Sequence, residues 1–245
     1  MRLLIQNDMD ILTELSLYSG YGGFTLGLRL AGLRVRTVCY VEINPYRQKL
    51  IQARIRDGFL DDAPIWDDAR TFNGKPWHGV VDILTAGFPC QFISRAGRKD
   101  IAKNLWPETA RIIGEIRPYL IFLENTPSLL SGYSHTPYIL RVISDLTELE
   151  YCTVWGVVGA HTVRAPHLRD RVWVMAYTDC IRNRIPQEEI RPRGNCPKHS
   201  SWWDTEPPVG RVAYGTPHKV DRLAALGDGI VPAVVAKFLR RLKQK

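Results

Sequence analysis

The sequence predicts an α/β fold on a doubly wound, mostly parallel sheet, and three observations predict it. From residue 11 to about 176, short β-branched runs alternate with stretches of helical period. The short runs are apolar on both faces, as strands covered by helices on each side must be. Glycine, cysteine and carboxylate residues recur at the strand ends, where α/β folds place ligands and nucleophiles.

The first predicted strand, 11–18, ends in Tyr18-Ser19-Gly20-Tyr21-Gly22-Gly23-Phe24 and runs into a helix over 23–31. A glycine-rich turn there lets a ligand approach the backbone, with helix-end N–H groups aimed at it. The second strand, 35–41, leads to Glu42, an acid placed to take a ribose diol, and then to a helix over 45–56. Trp66-Asp67-Asp68-Ala69 precedes the third strand, and an aspartate there suits an adenine amino group. The full G-x-G-x-x-G fingerprint is absent, which favours a mononucleoside cofactor over a nicotinamide dinucleotide.

The third strand, 80–85, runs into the turn Gly87-Phe88-Pro89-Cys90-Gln91 with Cys90 at its tip. A structural thiol more often lies inside an apolar element, so Cys90 reads as a nucleophile. A helix over 106–116 precedes the strand 120–124, which ends at Glu124-Asn125. A thiol and a carboxylate on two strand ends of one sheet can face the same substrate. A helix over 138–149 and strands over 152–158 and 172–176 complete the sheet. Arg169 and Arg171 alternate at the entry to the last strand and so point to one side. Taken without the rest of the chain, they read as a surface ion pair with Asp170.

After residue 176 the periodicity stops, and 177–210 is rich in Pro, Arg and Trp. Helical pattern returns over 218–226 and 231–242. The expected organisation is a catalytic body of residues 1–176 and 211–245, with 177–210 as a small insertion.

At 245 residues and 45% hydrophobic, the chain suits one α/β domain with a small appendage. No apolar run reaches membrane-spanning length, and polar residues break the opening stretch too early for a secretory signal, so a cytoplasmic protein is expected. The five cysteines include no metal knuckle. Cys39 and Cys152 read as small core residues, and Cys180, Cys196 and His199 lack a fourth zinc ligand, so no metal is expected. The net charge of +8 favours a polyanionic partner. Arg182, Arg184, Arg191, Arg193 and Lys198 lie in the stretch without helical period and suit phosphate contact. Lys237, Arg240, Arg241, Lys243 and Lys245 read as a solvated helix face and tail.

The ordered set Tyr-Ser-Gly-Tyr-Gly-Gly-Phe, Val-Glu-Ile-Asn, Gly-Phe-Pro-Cys-Gln, Leu-Glu-Asn, Arg-Asp-Arg and Gly-Asp-Gly-Ile-Val-Pro resembles the C5-cytosine DNA methyltransferase family over roughly residues 12–240. The resemblance implies S-adenosyl-L-methionine as cofactor, double-stranded DNA as partner and cytosine C5 as acceptor. It implies that Cys90 adds to C6, that Glu124 supports this at N3, and that Arg171 holds the O2 side and orients Glu124, with Arg169 supporting the pocket. Tyr18, Gly20, Gly22, Gly23, Glu42, Ile43, Asp68, Ala69, Phe88 and Asp228 would surround the cofactor. The sulfonium methyl is already activated, so no metal is needed. The target base must be flipped out of the duplex. Gln91, Ser94, Arg95 and Arg98 would close over the DNA, and Arg182, Arg184, Arg191 and Arg193 would touch it, mostly at phosphates. A monomer is expected.

Three features depart from the family pattern. His167 stands where Gln is usual, Asp228 stands where Asn is usual and adds negative charge near the cofactor, and the loop after Cys90 is short. The small insertion suits a short recognition site, and such compactness is common in phage and prophage enzymes. Two other readings share these residues: an RNA cytosine-C5 methyltransferase of the same fold, and a catalytically impaired relative that binds nucleic acid. The intact Cys90, Glu124 and Arg171 argue against the second.

Overall fold

The computed structural model describes residues 11–89, 104–131, 136–165, 167–178, 221 and 227–243. Seven strands form one sheet: β1 (Leu12–Leu17), β2 (Val35–Val41), β3 (Ile65–Trp66), β4 (Ile83–Ala86), β5 (Leu120–Asn125), β6 (Tyr151–Gly159) and β7 (Asp170–Thr178). Their order across the sheet is β3-β2-β1-β4-β5-β7-β6. Five helices accompany them among the described residues: α1 (Gly23–Leu30), α2 (Pro45–Arg56), α3 (Trp106–Ile116), α4 (Tyr138–Glu148) and α5 (Pro232–Lys243).

The five strands from β3 to β5 pair in parallel, and β7 is antiparallel to both neighbours. The parallel pairing brings the C-terminal ends of β1, β2, β4 and β5 to one edge of the sheet. The reversal of β7 has a specific consequence. Its entry, not its exit, meets the end of β5, with Val172 opposite Asn125 and Trp173 opposite Glu124.

Helices cover both faces. α3 and α4 bury Ile112, Ile113, Ile116, Val142 and Leu146 against Leu15, Leu84, Ile121 and Val174. α1 and α5 bury Phe24, Leu28, Val235 and Phe238 against Ile83, Phe122, Trp173 and Met175. α1 and α5 touch closely because position 27 is glycine: a Cβ there would lie 2.5 Å from Val235 Cβ.

The elements follow the predicted order, with three differences. The strand expected at 80–85 forms over Ile83–Ala86, because Val80 and Val81 close a turn onto the Trp77 carbonyl. The short edge strand β3 was not predicted, since two residues carry no readable period. β7 runs to Thr178, two residues past the expected end of the catalytic sheet. The helix expected at 218–226 and almost all of the 177–210 insertion lie outside the described residues.

β2 contains an irregularity: Thr37 pairs with Glu14 and Cys39 with Leu15, so Val38 is an extra residue. Val35 therefore faces the α1 side, whereas Cys39 and Val41 join the α3 and α4 core and Tyr40 packs on Ile51 of α2.

Glu14 is fully buried in the middle of β1. It accepts hydrogen bonds from the hydroxyls of Thr25 (2.7 Å), Thr37 (2.8 Å) and Thr85 (2.8 Å), which join β1 to α1, β2 and β4. Burial holds its carboxyl above the usual range despite these donors. A carboxyl with a raised folded-state value contributes stability in acid and loses it as pH climbs through that value. Glu14→Gln cannot ionise, so its unfolding free energy should rise relative to wild type over the pH window above the ordinary glutamate value of about 4.3, measured by urea denaturation. A difference that stays flat across that window would contradict the reading of Glu14 as a raised acid.

Candidate active site

A cavity of about 650 Å³ opens along the edge where the parallel strands end. That volume is in the range of small-molecule and cofactor sites. Its walls come from the β1–α1 turn (Tyr18 to Tyr21), the end of β2 (Val41 to Asn44), Asp68 and Ala69, the turn Gly87 to Pro89, the end of β5 (Glu124, Asn125), the arginines Arg169 and Arg171, and the turn Asp228 to Ile230.

At one end stands Glu42, buried, with Oε2 taking the Gly20 N–H at 2.9 Å and Oε1 the Asn44 N–H at 2.9 Å. Two backbone donors fix the orientation of this carboxylate, although burial still raises its proton affinity. Asn44 also caps α2, accepting from the Tyr46 and Arg47 N–H groups. Asp68 is held as an anion: Arg70 reaches both its oxygens, at 2.7 to 3.0 Å, and pulls its carboxyl below the usual range.

The β1–α1 turn needs its special backbone. Tyr18 takes a left-handed φ of 53° and is tied down through its hydroxyl to Thr109 Oγ1 at 3.0 Å. Gly22 has φ of 84°, and a Cβ there would come within 2.7 Å of Leu60. Gly22 and Gly23 are not among the cavity-lining residues; their missing side chains allow close packing on Leu60 and Ile230.

At the other end stands Glu124, also buried. Arg171 Nε lies 2.8 Å from its Oε1, as an ion pair rather than an aligned hydrogen bond. Among the described residues Oε1 accepts no hydrogen bond. Burial is the largest influence on Glu124 and raises its proton affinity, with Arg171 and then Arg169 pulling the other way. Gly87 sits beside the carboxylate: a Cβ at Gly87 would stand 3.5 Å from Oε2.

Cys90 lies outside the described residues, but the residue before it is held firmly. Asn125 donates to the Phe88 carbonyl at 2.9 Å, Phe88 packs on Trp106, and the Leu105 N–H donates to the Pro89 carbonyl at 3.4 Å. Pro89 and Leu105 therefore stand together at the two ends of the intervening segment, and both line the cavity. Gln91, Ser94, Arg95, Arg98, Arg182, Arg184, Arg191 and Arg193 lie outside the described residues, as do Cys180, Cys196 and His199.

Of the predicted site residues, Tyr18, Gly20, Glu42, Ile43, Asp68, Ala69, Phe88, Glu124, Arg169, Arg171 and Asp228 meet at this one cavity. His167 is exposed and is not among its lining residues. Three contributors were missed. Tyr21 donates its hydroxyl to the Ile230 carbonyl, and Gly229 leaves room for its ring. Asn125 anchors the turn before Cys90. Arg47 forms an ion pair with Asp228, so the charge that departs from the family pattern is compensated.

The residues present fit a nucleoside cofactor: one oriented carboxylate for a diol, a second near it, and open space at the left-handed Gly20. Among the described residues no three His, Cys, Asp or Glu side chains gather as metal ligands, and no helix is long and apolar enough to cross a membrane.

A family model for C-5 cytosine-specific DNA methylase matches residues 12–205. The chain is 32% identical over 224 residues to the type II methyltransferase M.CviJI of Paramecium bursaria Chlorella virus IL3A, covering 89% of this chain and 56% of that protein. It is 31% identical over 184 residues to the type II methyltransferase M.NgoMIV of Neisseria gonorrhoeae, covering 72% and 56%. This chain thus spans little more than half the length of either relative. Among solved structures, it resembles a prophage-encoded DNA modification methyltransferase described as putative, from E. coli, with a TM-score of 0.58 at 21% identity, over 70% of this chain and 48% of that one. The S. pombe Dnmt2 methyltransferase gives a TM-score of 0.54 at 22% identity, over 69% and 50%. These two structural likenesses speak to the fold.

The buried ion pair makes a stability prediction. Arg171→Met leaves Glu124 buried without its counter-charge, at an expected cost of about 3–5 kcal/mol. In a Glu124→Gln background the same change should cost far less, because no charge is left unpaired. A denaturation double-mutant cycle checks this; equal costs in both backgrounds would contradict the pairing.

Proposed function

This chain belongs to the C-5 cytosine-specific DNA methylase family, and from that premise we propose that it transfers a methyl group from S-adenosyl-L-methionine to C5 of a flipped-out cytosine in double-stranded DNA. The observation that carries the reading is Glu124: a buried carboxyl with raised proton affinity, an oxygen free of aligned hydrogen bonds among the described residues, and an arginine 2.8 Å away.

In this reading each residue has a task. Cys90, next after the anchored Pro89, adds as thiolate to C6 of the cytosine. Glu124 meets N3 and supplies a proton or a strong hydrogen bond, so the electron pair pushed into the ring is held as an enamine with density on C5. Arg171 fixes the Glu124 carboxyl and faces the O2 side. The cofactor, when bound, supplies an electrophilic methyl group on sulfur. Loss of the C5 proton and expulsion of Cys90 then restore the aromatic ring. Glu42 would take the ribose hydroxyls and Asp68 the adenine amino group, with Ile43, Ala69 and Phe88 against the nucleoside. Arg169 ties the pocket to the 227–230 turn. A base inside a duplex is out of reach of such a recessed carboxyl, so the cytosine must leave the stack. The two relatives named above are type II methyltransferases, which supports a modification enzyme of that kind.

Expression in a methylation-free host, followed by bisulfite sequencing, should show 5-methylcytosine in a short recurring sequence, and none with Cys90→Ala. DNA carrying 5-fluorocytosine should trap wild type as a covalent adduct, because fluorine blocks the proton-loss step. Glu124→Gln should lower the rate by about 10²–10⁴-fold. Unmethylated DNA together with labelled tRNA would transfer the proposal to an RNA substrate, and undiminished turnover by Cys90→Ala would overturn the mechanism.

A further inference from the structure

We propose that Thr109 of α3 is a positioning residue for methyl transfer: its hydroxyl fixes the turn that leads to the nucleophile relative to the turn that borders the methyl donor. The inference rests on the methyltransferase reading above.

The two turns continue neighbouring parallel strands, β1 and β4. That ladder stops at Leu17 and Ala86, so strand pairing does not hold the turns to each other. The first turn of α3 does. The Leu105 N–H donates to the Pro89 carbonyl at 3.4 Å, on the nucleophile side. The Leu105 carbonyl accepts from Thr109 Oγ1 at 2.8 Å, and Thr109 Oγ1 lies 3.0 Å from the Tyr18 hydroxyl, on the β1–α1 side. One consistent set of protons satisfies all of these groups: Tyr18 donates to Thr109, and Thr109 donates to Leu105. A continuous chain therefore runs from Tyr18 through Thr109 and Leu105 to Pro89.

Thr109 itself is fully buried and is not among the cavity-lining residues. It interrupts an otherwise apolar stripe on α3, formed by Trp106, Ile112, Ile113 and Ile116. A buried hydroxyl at such a position costs stability unless it is bonded, and here both its bonds belong to the chain between the turns. The rest of the support is stiff. Trp106 packs on Phe88 and donates from its indole to Asp145 of α4 at 2.7 Å. Tyr18 holds a left-handed φ of 53°, which a tyrosine keeps only where its surroundings fix it. In-line transfer is sensitive to such placement, since a shift of about 1 Å can cost on the order of 10²-fold in rate.

Single-turnover methyl transfer on the full chain tests this, with labelled S-adenosyl-L-methionine and genomic DNA from a methylation-free host. Thr109→Val keeps the shape and removes the hydroxyl, so the transfer rate should fall by at least about tenfold. Its affinity for S-adenosylhomocysteine, read by calorimetry, should stay within about twofold of wild type. Thr109→Ser restores the hydroxyl and should restore the rate. Tyr18→Phe cuts the same chain from the other side, so its rate should also fall, and the double variant Tyr18→Phe with Thr109→Val should be no slower than the worse single variant. A wild-type rate in Thr109→Val, no rescue by serine, an affinity loss equal to the rate loss, or multiplying losses in the double variant would each overturn the inference. If Thr109→Val does not fold, Tyr18→Phe decides alone, and a wild-type rate there overturns it. A wild type that transfers no methyl group would overturn the underlying reading and this inference with it.

Discussion

The site depends on one unfavourable placement: a carboxyl group buried at the end of β5 with the Arg171 guanidinium 2.8 Å from it. A carboxylate removed from water prefers to be neutral or paired. Arg171 supplies the pairing, and burial still leaves the group with raised proton affinity. The fold meets this requirement through the reversed strand β7. Only an antiparallel neighbour brings its entry, with Arg169 and Arg171, to the edge where β5 ends with Glu124. An all-parallel sheet would put the start of that strand at the opposite edge.

The other carboxylates around the cavity are managed differently, and the differences divide it. Glu42 is oriented by two backbone N–H groups, Asp68 is kept ionised by Arg70, and Asp228 pairs with Arg47. One end therefore presents fixed acceptors, as a nucleoside with its diol and amino group requires. The Glu124 end presents a buried carboxyl with raised proton affinity whose Oε1 accepts no hydrogen bond among the described residues. The Asn125 contact to the Phe88 carbonyl joins the carboxyl strand to the turn that leads to Cys90. The end of β5 and the residues that precede Cys90 thus share one anchored support.

Much of this was legible in the sequence, for a physical reason. Buried strands are short apolar runs, and ligand-facing residues in such a sheet cluster where the runs stop, so Glu42 and Glu124 could be placed at the cavity from pattern alone, whereas Cys90 lies outside the described residues. Less legible were features fixed by contacts distant in sequence. The extra residue at Val38 depends on pairing with β1, and nothing in the local pattern of β2 marks it. The direction of β7 is set by its partners, not by its composition. Arg47 looks like any solvated residue of a basic helix until Asp228 is brought beside it. Gly22 and Gly23 were read as ligand contacts, whereas their spacing also answers the packing of Leu60 and Ile230.

The central claim is that burial makes Glu124 a better proton holder than an ordinary glutamate while Arg171 keeps it in place. The most direct measurement is a pH titration of the chain carrying carboxyl-labelled glutamate, followed by carbon NMR, with the Glu124 resonance identified by its loss in Glu124→Gln. The account predicts a midpoint clearly above the ordinary glutamate value of about 4.3. A midpoint at or below that value would mean that Arg171 outweighs burial, and the acid role assigned to Glu124 would fail.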